Sequence, residues 1–204
     1  MQLYYSRNLN PRVAVAVARH LQSPVEFIAA QPRHPDHEEA FRPINPNTLV
    51  PVLVDGLRTY WETDAIACRL SQLAGSDFWR TDADMPEMVM WISWATHHLT
   101  RHGDAFYFWR LIAPQIGLPP ADEDFLAGQM REFRKFAAIL DAQLAGKTWL
   151  VGNRLSYADF RVGTVLPFAR AAGLPVADYP NVQRFSDRLD QIDAWLDPFA
   201  GLAG

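Results

Sequence analysis

The sequence has only one cysteine, Cys68, among its 204 residues, so it can form neither an internal disulfide nor a cysteine-rich metal site. Its 19 basic residues are outnumbered by 23 acidic ones and are scattered, whereas binding a phosphate backbone requires a basic stripe. No apolar run approaches the roughly 20 residues of a membrane span, and the N-terminus has no signal-peptide pattern. We therefore expect a cytoplasmic protein that binds neither nucleic acid nor membranes.

Strand-like and helix-like segments alternate at the beginning of the chain. Residues 2–5 and 25–29 are short β-prone runs, and the stretch 11–21 between them is apolar. Asn10 is a suitable cap for a helix that starts here, and Pro11 suits its first position because proline has no N–H to leave unpaired. The pattern predicts a β-α-β unit.

A second pattern follows the polar, proline-containing loop 31–47. Residues 50–54 resemble a buried strand, Asp55-Gly56 is a strong hairpin turn, and residues 57–61 return antiparallel. A helix is predicted over 63–73. These elements add an antiparallel hairpin to the β-α-β unit and give a mixed sheet with helices packed on it.

The rest of the chain is predicted to be helical. Residues 74–86 contain Gly, Asp and Pro without apolar periodicity, and residues 76–86 are the predicted linker. We therefore predict an α/β domain over 1–75 and an all-α domain over 87–204. The helical patterns of the second domain cover residues 87–100, 123–144, 157–172 and 182–194.

Two motifs carry a resemblance to a known family. Residues 45–56 (NPNTLVPVLVDG), followed by 61–66 (WETDAI), resemble the glutathione-site signature of cytosolic glutathione transferases. Residues 152–160 (GNRLSYADF) resemble the capping segment of that family's helical domain, with Ser156 and Asp159 at the spacing of a capping box. The resemblance implies a thioredoxin-like N-terminal domain, an all-helical C-terminal domain, glutathione as cosubstrate without a metal, and a homodimer.

The resemblance also implies how the loop before the hairpin meets glutathione. Pro51 is expected to be cis, so that the backbone of Val50 pairs with the cysteinyl part of glutathione. Leu49 stands where relatives often carry a polar residue that touches the glutathione backbone. Arg33 and His34 are candidates for the glycyl carboxylate, although isolated basic residues in a loop are more often solvated.

Glu62 and Thr63 lie where the helix after the hairpin begins. A helix N-terminus attracts an anion, so the γ-glutamyl carboxylate is expected there, with the Thr63 hydroxyl as a ligand and Glu62 accepting from the ammonium group. The alternative is that Thr63 is only a helix cap. Its position directly after the hairpin motif favours the glutathione interpretation.

Three residues are candidates for activating the glutathione thiol. The family places a donor near the N-terminus of the first helix, where the thiolate is stabilised. Asn10 occupies the position at which a bacterial class carries cysteine, and its amide can donate to sulfur, but it is equally well an ordinary cap. Ser6 is the hydroxyl-bearing rival. Tyr5 is the third candidate, since Tyr4 and Tyr5 alternate across the sheet and one of them can face the site.

Aromatic and basic residues concentrate at the start of the helical domain. They are the predicted electrophile pocket, expected between the domains, although core and dimer packing is the plainer explanation for any single tryptophan. Adjacent histidines on a helix point in different directions, so we predict no metal site. Cys68 is expected to be an inert buried thiol. The pocket residues are Trp94, His97, His98, Arg101 and Tyr107.

The sequence therefore favours an enzyme that activates glutathione as a thiolate for attack on a small hydrophobic electrophile. The rival hypothesis is a non-catalytic glutathione-transferase-like binding or interaction protein, because no unambiguous Tyr, Ser or Cys stands at the activating position.

Overall fold

The computed structural model describes residues 1–203 and divides into two compact units. The first unit comprises Met1–Trp79 together with the segment from Ile192 onward, and the second is Arg80–Gln191. The predicted helical domain ran from 87 to 204; its last residue lies outside the described residues, and residues 192–203 belong to the first unit. The physical reason is that the last helix packs against the first one.

The first unit is a mixed four-stranded sheet with helices, as the sequence predicts. The strand order is β2-β1-β3-β4, with β1 parallel to β2 and antiparallel to β3, and β3 antiparallel to β4. Helix α1 packs against α3 and against the sheet. The elements are β1 (Gln2–Tyr5), α1 (Leu9–His20), β2 (Glu26–Ala29), α2 (Pro35–Phe41), β3 (Val52–Asp55), β4 (Arg58–Trp61) and α3 (Thr63–Ala74).

Helix α1 starts earlier than the sequence suggests. Its N-cap is Asn8 and its first residue is Leu9, so the prediction that Asn10 caps the helix is wrong. Pro11 is the third helical residue, where its missing N–H is still harmless because first-turn N–H groups have no partner within the helix. The Val- and Ala-rich interior is fully buried, which offsets the low helix propensity of valine.

The hairpin turn consists of Gly56 and Leu57, one residue later than predicted, because Asp55 still pairs with Arg58 across the ladder. Gly56 has φ +62°, a conformation that glycine adopts without steric cost. Arg69 of α3 donates to Asp55 Oδ2 at 2.9 and 2.6 Å and so ties the hairpin to the helix. This arrangement fixes β4 and the start of α3.

The second unit is all helical. Helix α4 packs against α7 and α5, and α6 packs against α5 and α9. The predicted helix over 157–172 is interrupted by a 3-10 segment, Gly163–Phe168, because Pro167 cannot continue an α-helix. The helices of this unit are α4 (Met85–His97), α5 (Leu99–Tyr107), α6 (Glu123–Gln143), α7 (Tyr157–Val162), α8 (Ala169–Ala172) and α9 (Pro180–Leu189).

The predicted capping segment lies before α7. Ser156 is the N-cap, and the Asp159 carboxylate accepts from the Ser156 backbone N–H at 2.8 Å and from its hydroxyl at 3.1 Å. Asp159 also accepts from the backbone N–H of Leu150 at 2.9 Å. The side chains of Ser156 and Asp159 are fully buried, and the carboxylate connects the backbone at Leu150 to the start of α7.

Helix α10 (Asp193–Leu196) completes the first unit by packing on α1. Within residues 1–203, no helix combines the length and the apolar composition needed to cross a bilayer.

Candidate functional site

Two helix N-termini meet in the first unit. The Thr63 hydroxyl, on the first residue of α3, donates to the backbone carbonyl of Asn10 in the first turn of α1 at 3.2 Å. Thr63 is buried and Asn10 is exposed. Helix N-termini carry partial positive charge, so their convergence makes this corner favourable for an anionic ligand.

Thr63 links the two helices. Its hydroxyl donates to the Asn10 carbonyl and so positions α1 against α3, while its contact with a ligand carboxylate stays a prediction. The backbone N–H groups of the first turn of α3 are the donors that remain for an anion.

Glu62 has an unusual backbone at the entrance to α3. Its φ is +73°, which a residue with a side chain adopts at a cost of about 1–3 kcal/mol. Its side chain is exposed and, within residues 1–203, makes no capping bond to the helix. The N-terminus of α3 is therefore not closed by its own N-cap residue, and strain of this kind clusters at binding sites.

A buried asparagine organises the loop before β3. Asn45 is only 2 % exposed; its Nδ2 donates to the Leu49 carbonyl at 2.8 Å, and its Oδ1 accepts from the Asn47 backbone N–H at 3.0 Å. The Val50–Pro51 peptide is cis, and the sheet ladder begins only at Val52. Sequence reasoning missed Asn45, although an Asn before a proline in a turn-rich segment is a signal for a side-chain-stabilised loop.

The loop between β1 and α1 contains the two hydroxyl candidates. Ser6 is half-buried, and its Oγ accepts from Asn8 Nδ2 at 3.2 Å, which leaves the hydroxyl proton for another acceptor. Tyr5 is buried, and its hydroxyl donates to the Ala203 carbonyl at 2.6 Å. The phenol proton of Tyr5 is thus already used, which argues against Tyr5 as the thiol activator.

A mostly apolar cavity of about 710 Å³ borders this loop. It lies between the β1–β2 part of the sheet and α2, and Ser6 and Arg7 are among its lining residues. Asn10 does not line it. Ser6 therefore borders an open space within the first unit.

Arg33 and His34, the two residues predicted to contact the glycyl carboxylate, differ in whether their side chains already have a partner. His34 is the N-cap of α2, and its Nδ1 accepts from the Asp36 backbone N–H at 3.3 Å. Arg33 is exposed in the preceding loop. Of the pair, Arg33 is the side chain that can reach a ligand without giving up a helix cap.

Family models match both halves of the chain. A glutathione S-transferase N-terminal domain model matches residues 6–77, and a glutathione S-transferase C-terminal domain model matches residues 123–188, which together span about two thirds of the sequence. The chain belongs to the glutathione S-transferase superfamily. This confirms the resemblance stated from the two motifs.

Individual relatives agree with this membership. The chain is 25 % identical over 193 residues to glutathione S-transferase GstB of Escherichia coli K12, covering 91 % of this chain and 90 % of that protein. It is 26 % identical over 167 residues to glutathione S-transferase 3 of Zea mays, covering 78 % and 72 %. A glutathione transferase family member of Pseudomonas fluorescens Pf-5, solved with two glutathione bound, superposes with a TM-score of 0.81 at 18 % identity, covering 97 % and 91 %. The predicted glutathione transferase fold is confirmed.

In this glutathione S-transferase, the five predicted electrophile-pocket residues do not form one cluster. Trp94 and His98 are half-buried around Phe136, with ring centroids 6.0 and 4.6 Å from it. His102 stacks on the same ring at 5.5 Å and was missed by the sequence reasoning. His97, the last residue of α4, and Arg101, on α5, are exposed.

Tyr107 lies in a different environment. It is buried and packs edge-on against Phe168 at 4.8 Å. Burial, together with the nearby Asp104 carboxylate, raises the pKa of the Tyr107 phenol, so it stays protonated at neutral pH. Tyr107 is therefore a neutral hydrogen-bond donor rather than a base.

Cys68 lies in the middle of α3, away from any helix start, and is half-buried rather than buried as predicted. Burial raises the pKa of its thiol, and the Gln72 amide donates to Sγ at 3.7 Å. A raised pKa lowers the thiolate fraction and hence the reactivity of the side chain. Within the described chain, residues 1–203, no three His, Cys, Asp or Glu side chains are grouped so as to hold a metal ion.

Proposed function

We propose that the protein binds glutathione at the corner where α1 and α3 meet and activates its thiol for attack on a small hydrophobic electrophile. The observation that carries this proposal is the 3.2 Å hydrogen bond from Thr63 Oγ1 to the Asn10 carbonyl, which brings two helix N-termini together. Two positive dipole ends at one corner favour both a carboxylate and a thiolate.

The γ-glutamyl group is assigned to the start of α3. Its carboxylate accepts from first-turn backbone N–H groups, and its ammonium group faces the exposed Glu62 carboxylate. Strained Glu62 supports this assignment, because its backbone turns the chain into the helix while its side chain stays available.

The rest of glutathione is assigned to the loop before β3 and to the loop before α2. The Val50 backbone, ahead of cis Pro51, pairs with the cysteinyl part, and the exposed Leu49 lies beside it. Arg33 meets the glycyl carboxylate as a charged donor. His34 supports this loop by capping α2.

Ser6 is the proposed donor to the glutathione sulfur. Its Oγ accepts from Asn8, so its proton remains for donation to a thiolate. Asn10 is the second candidate, acting through its amide from the first turn of α1. In the reaction, the thiol proton leaves to solvent, the sulfur electron pair forms a bond to the electrophilic carbon, and the leaving group departs with its own bonding pair.

The electrophile and the assembly are proposed on chemical grounds. Aromatic side chains around Phe136, including Trp94 and His98, suit a hydrophobic electrophile. A homodimer is supported by exposed apolar side chains on α4, since solvent-exposed apolar groups on one helix mark association surfaces. These are Met85, Val89 and Met90, which are 41, 43 and 54 % exposed.

The test is steady-state conjugation of glutathione to chlorodinitrobenzene, an aromatic halide, by wild type, Ser6→Ala, Ser6→Thr and Asn10→Ala. Loss of a donor to the developing sulfur charge should lower kcat/KM by about a hundredfold in Ser6→Ala, while Ser6→Thr keeps the hydroxyl. A smaller loss is expected in Asn10→Ala. Tight glutathione binding without turnover of this or other electrophiles would overturn the enzymatic proposal and leave a non-catalytic binding protein.

A further inference from the structure

The C-terminal segment, residues 192–203, is fixed to α1 by arginines. The Arg12 guanidinium lies 4.7 Å from the centroid of the Trp195 ring and donates to the Trp195 carbonyl, and Trp195 is only 1 % exposed. About two turns further along α1, Arg19 donates to the Ala200 carbonyl. The segment is therefore an integral part of the first unit.

The same segment holds both chain neighbours of Ser6. Tyr5 donates its hydroxyl proton to the Ala203 carbonyl at 2.6 Å, and Arg7 Nη2 donates to the Leu202 carbonyl at 3.1 Å. Each of these side chains is thus tied to a backbone group that is about 195 residues away in sequence.

Phe199 contacts both of these side chains at once. Its ring is stacked on Tyr5 with centroids 5.6 Å apart and an interplanar angle of 25°, and the Arg7 guanidinium lies 5.0 Å from its centroid. Stacked rings and cation–π pairs each add stabilisation beyond the area that they bury. One side chain of the C-terminal segment therefore restrains the residues on either side of Ser6.

Secondary structure does not provide this restraint. Strand β1 ends at Tyr5 and α1 begins at Leu9, so residues 6–8 lie between the sheet ladder and the helix. A hydroxyl stabilises a thiolate only when its O–H points at the sulfur, and this direction depends on the backbone that carries it.

We infer that Phe199 is a positioning residue for the Ser6 hydroxyl, acting through Tyr5 and Arg7. The inference rests on the proposed function for its catalytic consequence. Loss of the Phe199 ring lets the backbone of residues 6 and 7 move, so the hydroxyl samples directions away from the sulfur. The assigned glutamyl contacts at α3 involve none of these side chains, so glutathione affinity should change much less than thiol activation.

The experiment compares wild type with Phe199→Ala, Phe199→Leu and Phe199→Tyr, using Phe125→Ala as a matched control. Phe125 is 44 % exposed on α6 of the other unit and loses the same side chain. Two quantities are measured on the full chain: hydrogen–deuterium exchange of the peptide covering residues 5–9, and the pKa of the bound glutathione thiol from its ultraviolet thiolate absorbance.

Exchange of the 5–9 peptide should accelerate about tenfold in Phe199→Ala, from the loss of one ring stack and one cation–π contact. The bound thiol pKa should rise in the same variant, with the glutathione dissociation constant changed by less than about threefold. Phe199→Tyr keeps the ring and should behave like wild type, whereas Phe199→Leu keeps apolar volume only and should resemble Phe199→Ala. Phe125→Ala should leave both quantities unchanged.

Unchanged exchange at 5–9 in a folded Phe199→Ala protein would overturn the inference, whatever the result with glutathione. Faster exchange with an unchanged thiol pKa would also overturn it, because Phe199 would then not act on the hydroxyl. Failure of wild type to bind glutathione would refute the proposed function instead, and the exchange measurement would still decide whether Phe199 restrains the loop.

Discussion

Replacing Asp159 by asparagine should destabilise the protein by an amount that depends strongly on pH. The carboxyl is fully buried and accepts three hydrogen bonds, from the Leu150 N–H, the Ser156 N–H and the Ser156 hydroxyl. Burial raises the pKa of Asp159 from 3.8 to about 6, against the opposing effects of these hydrogen bonds and of the Arg80 charge. A shift of about two units corresponds to about 3 kcal/mol.

The direction in which the stability changes with pH follows from proton binding. A folded-state pKa above the unfolded value means that the folded chain binds the proton more tightly, so stability from Asp159 is fully present below about pH 4. It falls by about 3 kcal/mol as the pH rises through 6. The side-chain amide of Asp159→Asn does not titrate. Because it has only one oxygen, one of the backbone N–H donors would face the amide NH2 group instead of an acceptor. This mismatch should lower the free energy of unfolding by about 1–3 kcal/mol at every pH.

The assay is urea unfolding of wild type and Asp159→Asn from pH 4 to 8, followed by far-ultraviolet circular dichroism. The difference in the free energy of unfolding should be largest near pH 4 and should shrink by about 3 kcal/mol by pH 7. Asp124→Asn, which removes an exposed carboxyl from the first turn of α6, controls for loss of a surface charge. A difference that grows with pH would refute the reasoning, because it would mean that the buried carboxylate is stabilised in its charged form.

The other predictions concern the first unit. Thr63→Val, which removes the hydrogen bond to Asn10, should cost about 1 kcal/mol of stability and raise the glutathione dissociation constant, and Thr63→Ser should restore both in thermal melts and calorimetry. Asn45→Ala should cost about 2–3 kcal/mol in urea unfolding, because the Leu49 carbonyl loses its buried donor, and should weaken glutathione binding through the loop. Cys68→Ala should leave conjugation kinetics unchanged, and the wild-type thiol should react slowly with a disulfide reagent, because burial raises its pKa. Loss of activity in this variant would contradict the view that Cys68 takes no part in the reaction.

Local sequence patterns predicted the elements whose stabilisation is local. The hairpin followed from a two-residue turn flanked by β-prone runs, and its one-residue displacement arose because Asp55 still pairs with Arg58. The start of α3 was found because Glu62 and Thr63 directly follow that hairpin. Its strained backbone at Glu62 was not predictable, since it depends on how the strand is joined to the helix.

Features that depend on distant contacts were missed. Nothing near Tyr5 indicates that its hydroxyl is used by the Ala203 carbonyl, and an aromatic residue such as Phe199 just after the last helical pattern looks like core. Residue type and position along the chain predict the pocket residues, and neither separates Tyr107 from the cluster around Phe136. Contacts of this kind become visible only in the folded chain.

Thiol activation is tested most directly by calorimetric titration of the protein with glutathione, followed by an ultraviolet difference spectrum of the complex between pH 5 and 9. An unperturbed cysteine thiol has a pKa of about 8.5, and we expect tight binding with the bound thiol ionising well below that value. Ser6→Ala should bind glutathione comparably and ionise it near the unperturbed value. No binding, or binding with a thiol that titrates as it does in water, would show that the protein does not activate glutathione.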